Sequence, residues 1–170
     1  MAYADALSTL AEVAIAIAGF SGIVSVFGRR SSGHWSPAER ARLIGLLVMS
    51  FTAVFFSVVP FVLLSIPVSE STCWRSLSLL LAASRFVSMG VVLRVVLGER
   101  RIPASKREAS LVTSVIFIAG DLLVVVALSV NAVGSGLLWP YLAAIVWVLA
   151  EAAVIFIRLV IVPISRAPAV

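Results

Sequence analysis

Residues 43–66 read LIGLLVMSFTAVFFSVVPFVLLSI, with no charged side chain from the first residue to the last. At 1.5 Å per helical residue this stretch is about 36 Å long, enough to cross a hydrocarbon core about 30 Å thick. A strand crossing the same core needs only about 10 residues and alternates polar with apolar positions, which this stretch does not. Residues 43–66 therefore predict a transmembrane helix. Working outward, four more stretches share its character: Leu7–Phe27, Arg75–Leu97, Leu111–Val130 and Leu137–Val162. The chain of 170 residues is 62% hydrophobic and 12% charged, and its mean hydropathy is +1.17. A soluble domain is about 45–50% apolar and 25% charged, so a water-soluble enzyme and a disordered chain are both excluded.

The five stretches leave no room for a separate soluble domain. The expected fold is an all-α integral membrane protein: a single transmembrane domain over residues 1–170, built as a five-span up-down helix bundle. The outer connections, Pro67–Thr72 and Asn131–Gly136, are short enough to force antiparallel neighbours. The leader Met-Ala-Tyr-Ala-Asp has no basic region, and Glu12 interrupts the first apolar run. The first span is therefore expected to stay in place as a membrane helix, not to act as a cleaved signal peptide.

Basic residues orient the bundle. Of the 13 Lys and Arg residues, Arg29, Arg30, Arg40, Arg42, Arg94, Arg100, Arg101, Lys106, Arg107, Arg158 and Arg166 fall on one side and Arg75 alone on the other. The positive-inside rule then places the N-terminus outside and the C-terminus in the cytoplasm. Tyr3, Trp74, Trp139 and Tyr141 all fall at the outer boundary, where aromatic anchors belong. The formal net charge of +5 is mostly this orientation signal, so no nucleic-acid partner is expected. The basic loops can also hold anionic head groups, at about 1 kcal/mol per residue near the surface.

Both cytoplasmic connections end in a capping box, Ser36-Pro-Ala-Glu39 and Ser105-Lys-Arg-Glu108, so the helices that follow should begin about one turn outside the membrane. Gly28-Arg-Arg30 is echoed by Gly98-Glu-Arg-Arg101. The echo fits either two parallel hairpins or convergent loop chemistry.

Inside the membrane, helix association relies on small residues and polar contacts. Ala14, Ala18 and Gly22 on the first span, and Gly45, Ala53 and Ser57 on the second, form the candidate packing faces. Pro60 removes a backbone donor from the second span. Arg85, Asp121 and Glu151 each fall near the middle of a different span, and Glu12 lies shallower, in the outer leaflet. A charge at the bilayer centre costs about 2.5–3.5 kcal/mol on the mildest scale, so three facing lipid would cost about 8–10 kcal/mol. These residues are therefore expected to form a midplane ionisable cluster, with Ser78 and Ser88 on the Arg85 face and Ser114 one heptad before Asp121. One guanidinium cannot neutralise two buried carboxylates, so one acid should hold a proton or a cation should join. The cluster reads either as a proton- or cation-responsive site or as an ionic latch that sets helix register.

Several chemistries are excluded or demoted. Gly19-Phe-Ser21-Gly22 looks like the element around an intramembrane serine nucleophile, but the one histidine, His34, and Lys106 both lie in connections, so Ser21 has no base. One histidine rules out bis-histidine haem, and one cysteine, Cys73, rules out a dithiol and an internal disulfide. No nucleotide-binding or zinc-protease motif occurs. No catalytic residue, no cofactor and no metal is expected, and the chain reads as a non-enzyme.

The run Ala11-Glu12-Val-Ala-Ile-Ala-Ile-Ala18-Gly19-Phe20-Ser21-Gly22-Ile23-Val24 resembles the first segment of small bacterial multi-span inner-membrane proteins with no assigned activity. The resemblance covers about a seventh of the chain. It implies a cell inner (cytoplasmic) membrane location with Glu12 as a recurring feature, and it implies no substrate or cofactor.

The leading functional expectation is an oligomeric, channel-like or membrane-permeabilising protein lined near its centre by Arg85, Asp121 and Glu151. The alternative is a non-catalytic anchor or assembly partner that holds a cytoplasmic protein through its basic loops. A proton-coupled transporter is disfavoured, because five spans do not make two matching halves. The expected partners are the lipid bilayer, further copies of the chain and a cytoplasmic protein. Reporter fusions test the topology. A cytoplasm-dependent fluorescent reporter at the C-terminus should be active, while a periplasm-dependent phosphatase at the same point should be silent.

Overall fold

A computed structural model describes the backbone of residues 2–32, 37–98 and 104–164, and side chains within 3–24, 40–94 and 112–160. The described chain is helical throughout: α1 (Ala2–Ser32), α2 (Pro37–Leu63), α3 (Glu70–Gly98), α4 (Ala104–Val133) and α5 (Leu138–Ile164). All five are long and apolar enough to cross a membrane, with candidate spans Tyr3–Val24, Arg40–Leu63, Glu70–Arg94, Val112–Val133 and Leu138–Val160. This is a multi-pass membrane protein. Large apolar side chains such as Phe20, Phe51, Phe86, Leu123 and Val130 lie on the exterior, as expected where the surrounding solvent is hydrocarbon.

The helices run further than the apolar stretches that signalled them. Arg29 and Arg30 lie within the backbone of α1, and Lys106 and Arg107 within that of α4, so these four are helical and not in loops. Arg40 and Arg42 are exposed in the first turns of α2. Arg100, Arg101, His34, Ser36 and Arg166 lie outside the described residues. Helix α2 begins at Pro37, where a proline needs no partner for its missing N–H. Helix α4 begins at Ala104, one residue before the serine expected to cap it.

Of the two short connections expected at 67–72 and 131–136, the first is shifted to 64–69 and the second is shortened to 134–137. Helix α3 starts at Glu70, capped by Ser69, whose hydroxyl accepts a bond from the Thr72 N–H at 3.3 Å. Glu70 adds a carboxylate in the first turn and accepts a 3.3 Å bond from the Trp74 indole N–H. Helix α4 continues through Asn131 to Val133, which moves Asn131 from the connection into the helix. The turn to α5 is closed by Gly136 at φ +60°, a left-handed conformation that side chains other than glycine's resist. A Cβ there would also collide with the Ser71 carbonyl oxygen and come within 2.9 Å of Arg75 Cγ.

The chain divides into two compact units. One comprises Met1–Val62 with Ile145–Val170, and the other Leu63–Ala144. In the first, α2 buries Leu46, Ser50, Ala53, Ser57 and Pro60 along one stripe, at alternating spacings of four and three residues. In the second, α3 and α4 pack against each other, and α3 buries Trp74, Ser78, Leu81 and Arg85 at the same spacings. Of the small residues expected to pack, Ala14, Ala53 and Ser57 are buried and Ala18 and Gly45 are half-buried. Gly22 is exposed, and a Cβ on either Gly22 or Gly45 would meet no neighbour within 4 Å. These two glycines therefore do not mediate close helix approach within one chain.

The turn and the helix interior make opposite predictions for glycine replacement. Gly136→Ala should destabilise the protein by about 1–3 kcal/mol or more, from backbone strain and the Ser71 collision. Gly90→Ala, inside α3 with open space around its Cβ position, should leave stability unchanged or raise it by up to about 1 kcal/mol. Thermal unfolding in detergent measures both.

Candidate functional site

The centre of the 63–144 unit is a buried ion pair. Arg85 is 1% exposed and Asp121 is 4% exposed. Arg85 Nε donates to Asp121 Oδ1 at 2.9 Å, and one terminal guanidinium nitrogen donates to the same oxygen. Residues 36 positions apart are thereby held together across two helices. A charge-assisted bond of this kind is about twice as strong as a neutral one, and more so where water is excluded.

Two further ties link the same elements toward the end where α3 begins. Asn131 donates through its side-chain amide to Ser78 Oγ at 2.9 Å and to the Leu137 carbonyl at 2.8 Å, while its Oδ1 accepts from the Leu137 N–H at 2.8 Å. One side chain thus closes the α4–α5 turn as a backbone segment would, and bonds it to α3. Arg75 donates to the Gly134 carbonyl, which sets a cation against the C-terminal end of α4. As the α3 partners rise from 75 through 78 to 85, their counterparts fall from 134 through 131 to 121, the register of an antiparallel pair. Beside them Trp74 and Tyr141 are buried with ring centroids 5.7 Å apart. Cys73 is buried as a free thiol.

The expected cluster is therefore placed as follows. Arg85 and Asp121 meet. Glu151 is 2% exposed and belongs to the other compact unit, with the second part of α5. Ser78 is buried, but its described partner is Asn131, not Arg85. Ser88 and Ser114 are half-buried. Glu12 is exposed on α1. Asn131 was missed as a site residue, because its position near a span end read as connection. The available signal was an amide within one helical turn of a span's end, followed by Gly134-Ser-Gly136. Ser21 is buried and donates to the Ala18 carbonyl at 2.6 Å, a bond to its own helix. Among the described residues no group of three or more His, Cys, Asp or Glu is placed to hold a metal ion.

Comparison with protein-family models, with curated proteins and with solved structures finds no match to this chain.

The ion pair predicts strongly non-additive substitutions. Arg85→Leu or Asp121→Leu alone leaves an uncompensated buried charge and should cost about 3–5 kcal/mol. The double variant, with both charges removed, should recover most of that loss. Asn131→Ala, which strips the bonds at Leu137 and Ser78, should cost about 1–3 kcal/mol. Reversible unfolding in mixed detergent micelles gives all four values. A double variant as unstable as the sum of the singles would refute the latch.

Proposed function

We propose that this chain is a non-catalytic multi-pass protein of a bacterial cytoplasmic membrane, acting as an anchor or assembly partner for a cytoplasmic protein. Its midplane ion pair works as a latch. The supporting observation is the closure of Arg85 on Asp121 within one chain, with both side chains almost fully buried. A pair engaged in this way fixes two helices, and its charges are not presented to a passing ion or a substrate. The basic residues Arg29, Arg30, Arg40, Arg42, Arg100, Arg101, Lys106 and Arg107 then carry the contact with an acidic cytoplasmic surface, with the N-terminus outside. Neutralising Arg100, Arg101, Lys106 and Arg107 together should abolish co-purification of the partner from membranes while leaving the unfolding midpoint in place. Unchanged co-purification counts against the reading.

A second reading is favoured by Glu151, an acid only 2% exposed on an apolar membrane helix. In that reading several copies assemble into a channel-like or permeabilising oligomer, and Glu151 supplies its ionisable group. Purified protein in proteoliposomes should then pass protons or small cations, and Glu151→Gln should reduce the flux at least tenfold. Absence of flux at every pH removes this reading.

A further inference from the structure

Helix α1 turns outward a face that does not suit lipid. Leu7, Ala14 and Ser21, one heptad apart, mark its buried side. On the opposite side Ser8, Glu12, Ala16, Gly19 and Ile23 are exposed, at spacings of four, four, three and four residues. All but Ile23 are small or polar. Helix α4 shows what a lipid-covered face is made of in this protein: Val115, Leu122, Leu123, Val126 and Val130 are exposed, and all are large and apolar.

Glu12 sits in the middle of the α1 face. It lies nine residues past the start of the candidate span Tyr3–Val24, about 14 Å along the axis. Among the described residues its carboxyl group has neither a hydrogen-bond donor nor a cation beside it. Acyl chains do not donate or accept hydrogen bonds, so a position against lipid leaves the group without a partner. The surface beside it permits close approach: Ala16 and Gly19 follow one and two turns on, and a Cβ at Gly19 would meet nothing within 4 Å. What this face lacks is a second helix that brings a hydrogen-bonding group to the depth of Glu12.

A second copy of the chain meets that requirement. Copies inserted in the same direction carry Glu12 at the same depth. A carboxyl group is its own complement, donating through O–H in the acid form and accepting through its other oxygen. Across a two-fold axis the small residues of one α1 also meet those of the other. No other described surface of a copy offers a cation there. Arg85 is 1% exposed and bonded to Asp121, and Arg40, Arg42, Arg75, Arg94 and Arg158 lie within five residues of the ends of their candidate spans. We propose that two copies pair in parallel through the Ser8–Ile23 face of α1, with Glu12 bonded to Glu12 at the centre of the contact. The pairing goes beyond both functional readings, since it uses neither the basic residues nor Glu151.

Two measurements on the full-length protein test the pairing. Copies labelled with a donor or an acceptor fluorophore, diluted over a range of lipid-to-protein ratios in bilayers, report association by energy transfer. Wild-type protein should associate reversibly, and Glu12→Leu and Gly19→Leu should each weaken association about tenfold or more. Glu12→Gln, whose amide also donates and accepts, should stay within about threefold of wild type. Oxidative cross-linking in native membranes gives an independent readout. Ala16→Cys should form covalent dimers with a membrane-soluble oxidant, while Leu123→Cys on the exposed side of α4, and the unsubstituted chain with its buried Cys73, should not. Wild-type protein that is monomeric at every dilution overturns the proposal. So does association left unchanged by Glu12→Leu, or cross-linking at Leu123→Cys as strong as at Ala16→Cys. Dimers that pass no ions uphold the interface and remove only the permeation reading.

Discussion

A guanidinium and a carboxylate carried on apolar membrane helices need partners in place of water, and the Arg85–Asp121 pair answers that constraint. Because both groups sit on rigid helices, meeting is possible only at one axial offset and one pair of rotations of α3 and α4. Apolar packing in lipid would tolerate many offsets, since the surrounding tails are as apolar as the side chains. The ion pair selects one, and Ser78–Asn131 and Arg75–Gly134 repeat the same antiparallel register toward the turn.

The turn at the end of α4 shows how little irregular backbone this solvent allows. Asn131 supplies a side-chain amide that pairs with both backbone groups of Leu137, Arg75 takes the Gly134 carbonyl, and Gly136 turns the chain where a side chain would strike Ser71. Polar groups that a soluble protein would leave to water are closed internally here. The same economy governs the hydroxyls of Thr9, Thr52, Ser84 and Ser129, each bonded to its own helix. Against that background Ser50 and Ser57 stand apart. Their common feature is a place on a buried stripe of small side chains.

Much of the architecture was legible from residues 43–66 and their four counterparts, because span length and charge depletion are set by bilayer thickness and need no knowledge of neighbours. Helix ends were less so. Arg29, Arg30, Lys106 and Arg107 look like loop residues by charge, yet the backbone stays helical beyond the apolar core, because helical hydrogen bonding continues wherever side chains can reach water. The packing faces were legible only in part. Ala14, Ala53 and Ser57 are buried, whereas Gly22 is exposed, since small size permits close approach but does not say which face has a neighbour.

The sequence by itself determined the solvent, the number of helices and the need for Arg85 to find an acid, all of which follow from per-residue transfer costs. Only the tertiary structure showed that Asp121 lies against it. Asp121 and Glu151 carry the same charge in spans of similar character, and helical rise places both near mid-membrane. Whether an acid meets Arg85 depends on helix rotation and register, which no count along the chain contains. Tertiary packing joined Asp121 to Arg85 within the 63–144 unit. It also gave Asn131 three bonds and, among the described residues, left two buried serines without one, because each depends on which face of a helix is covered.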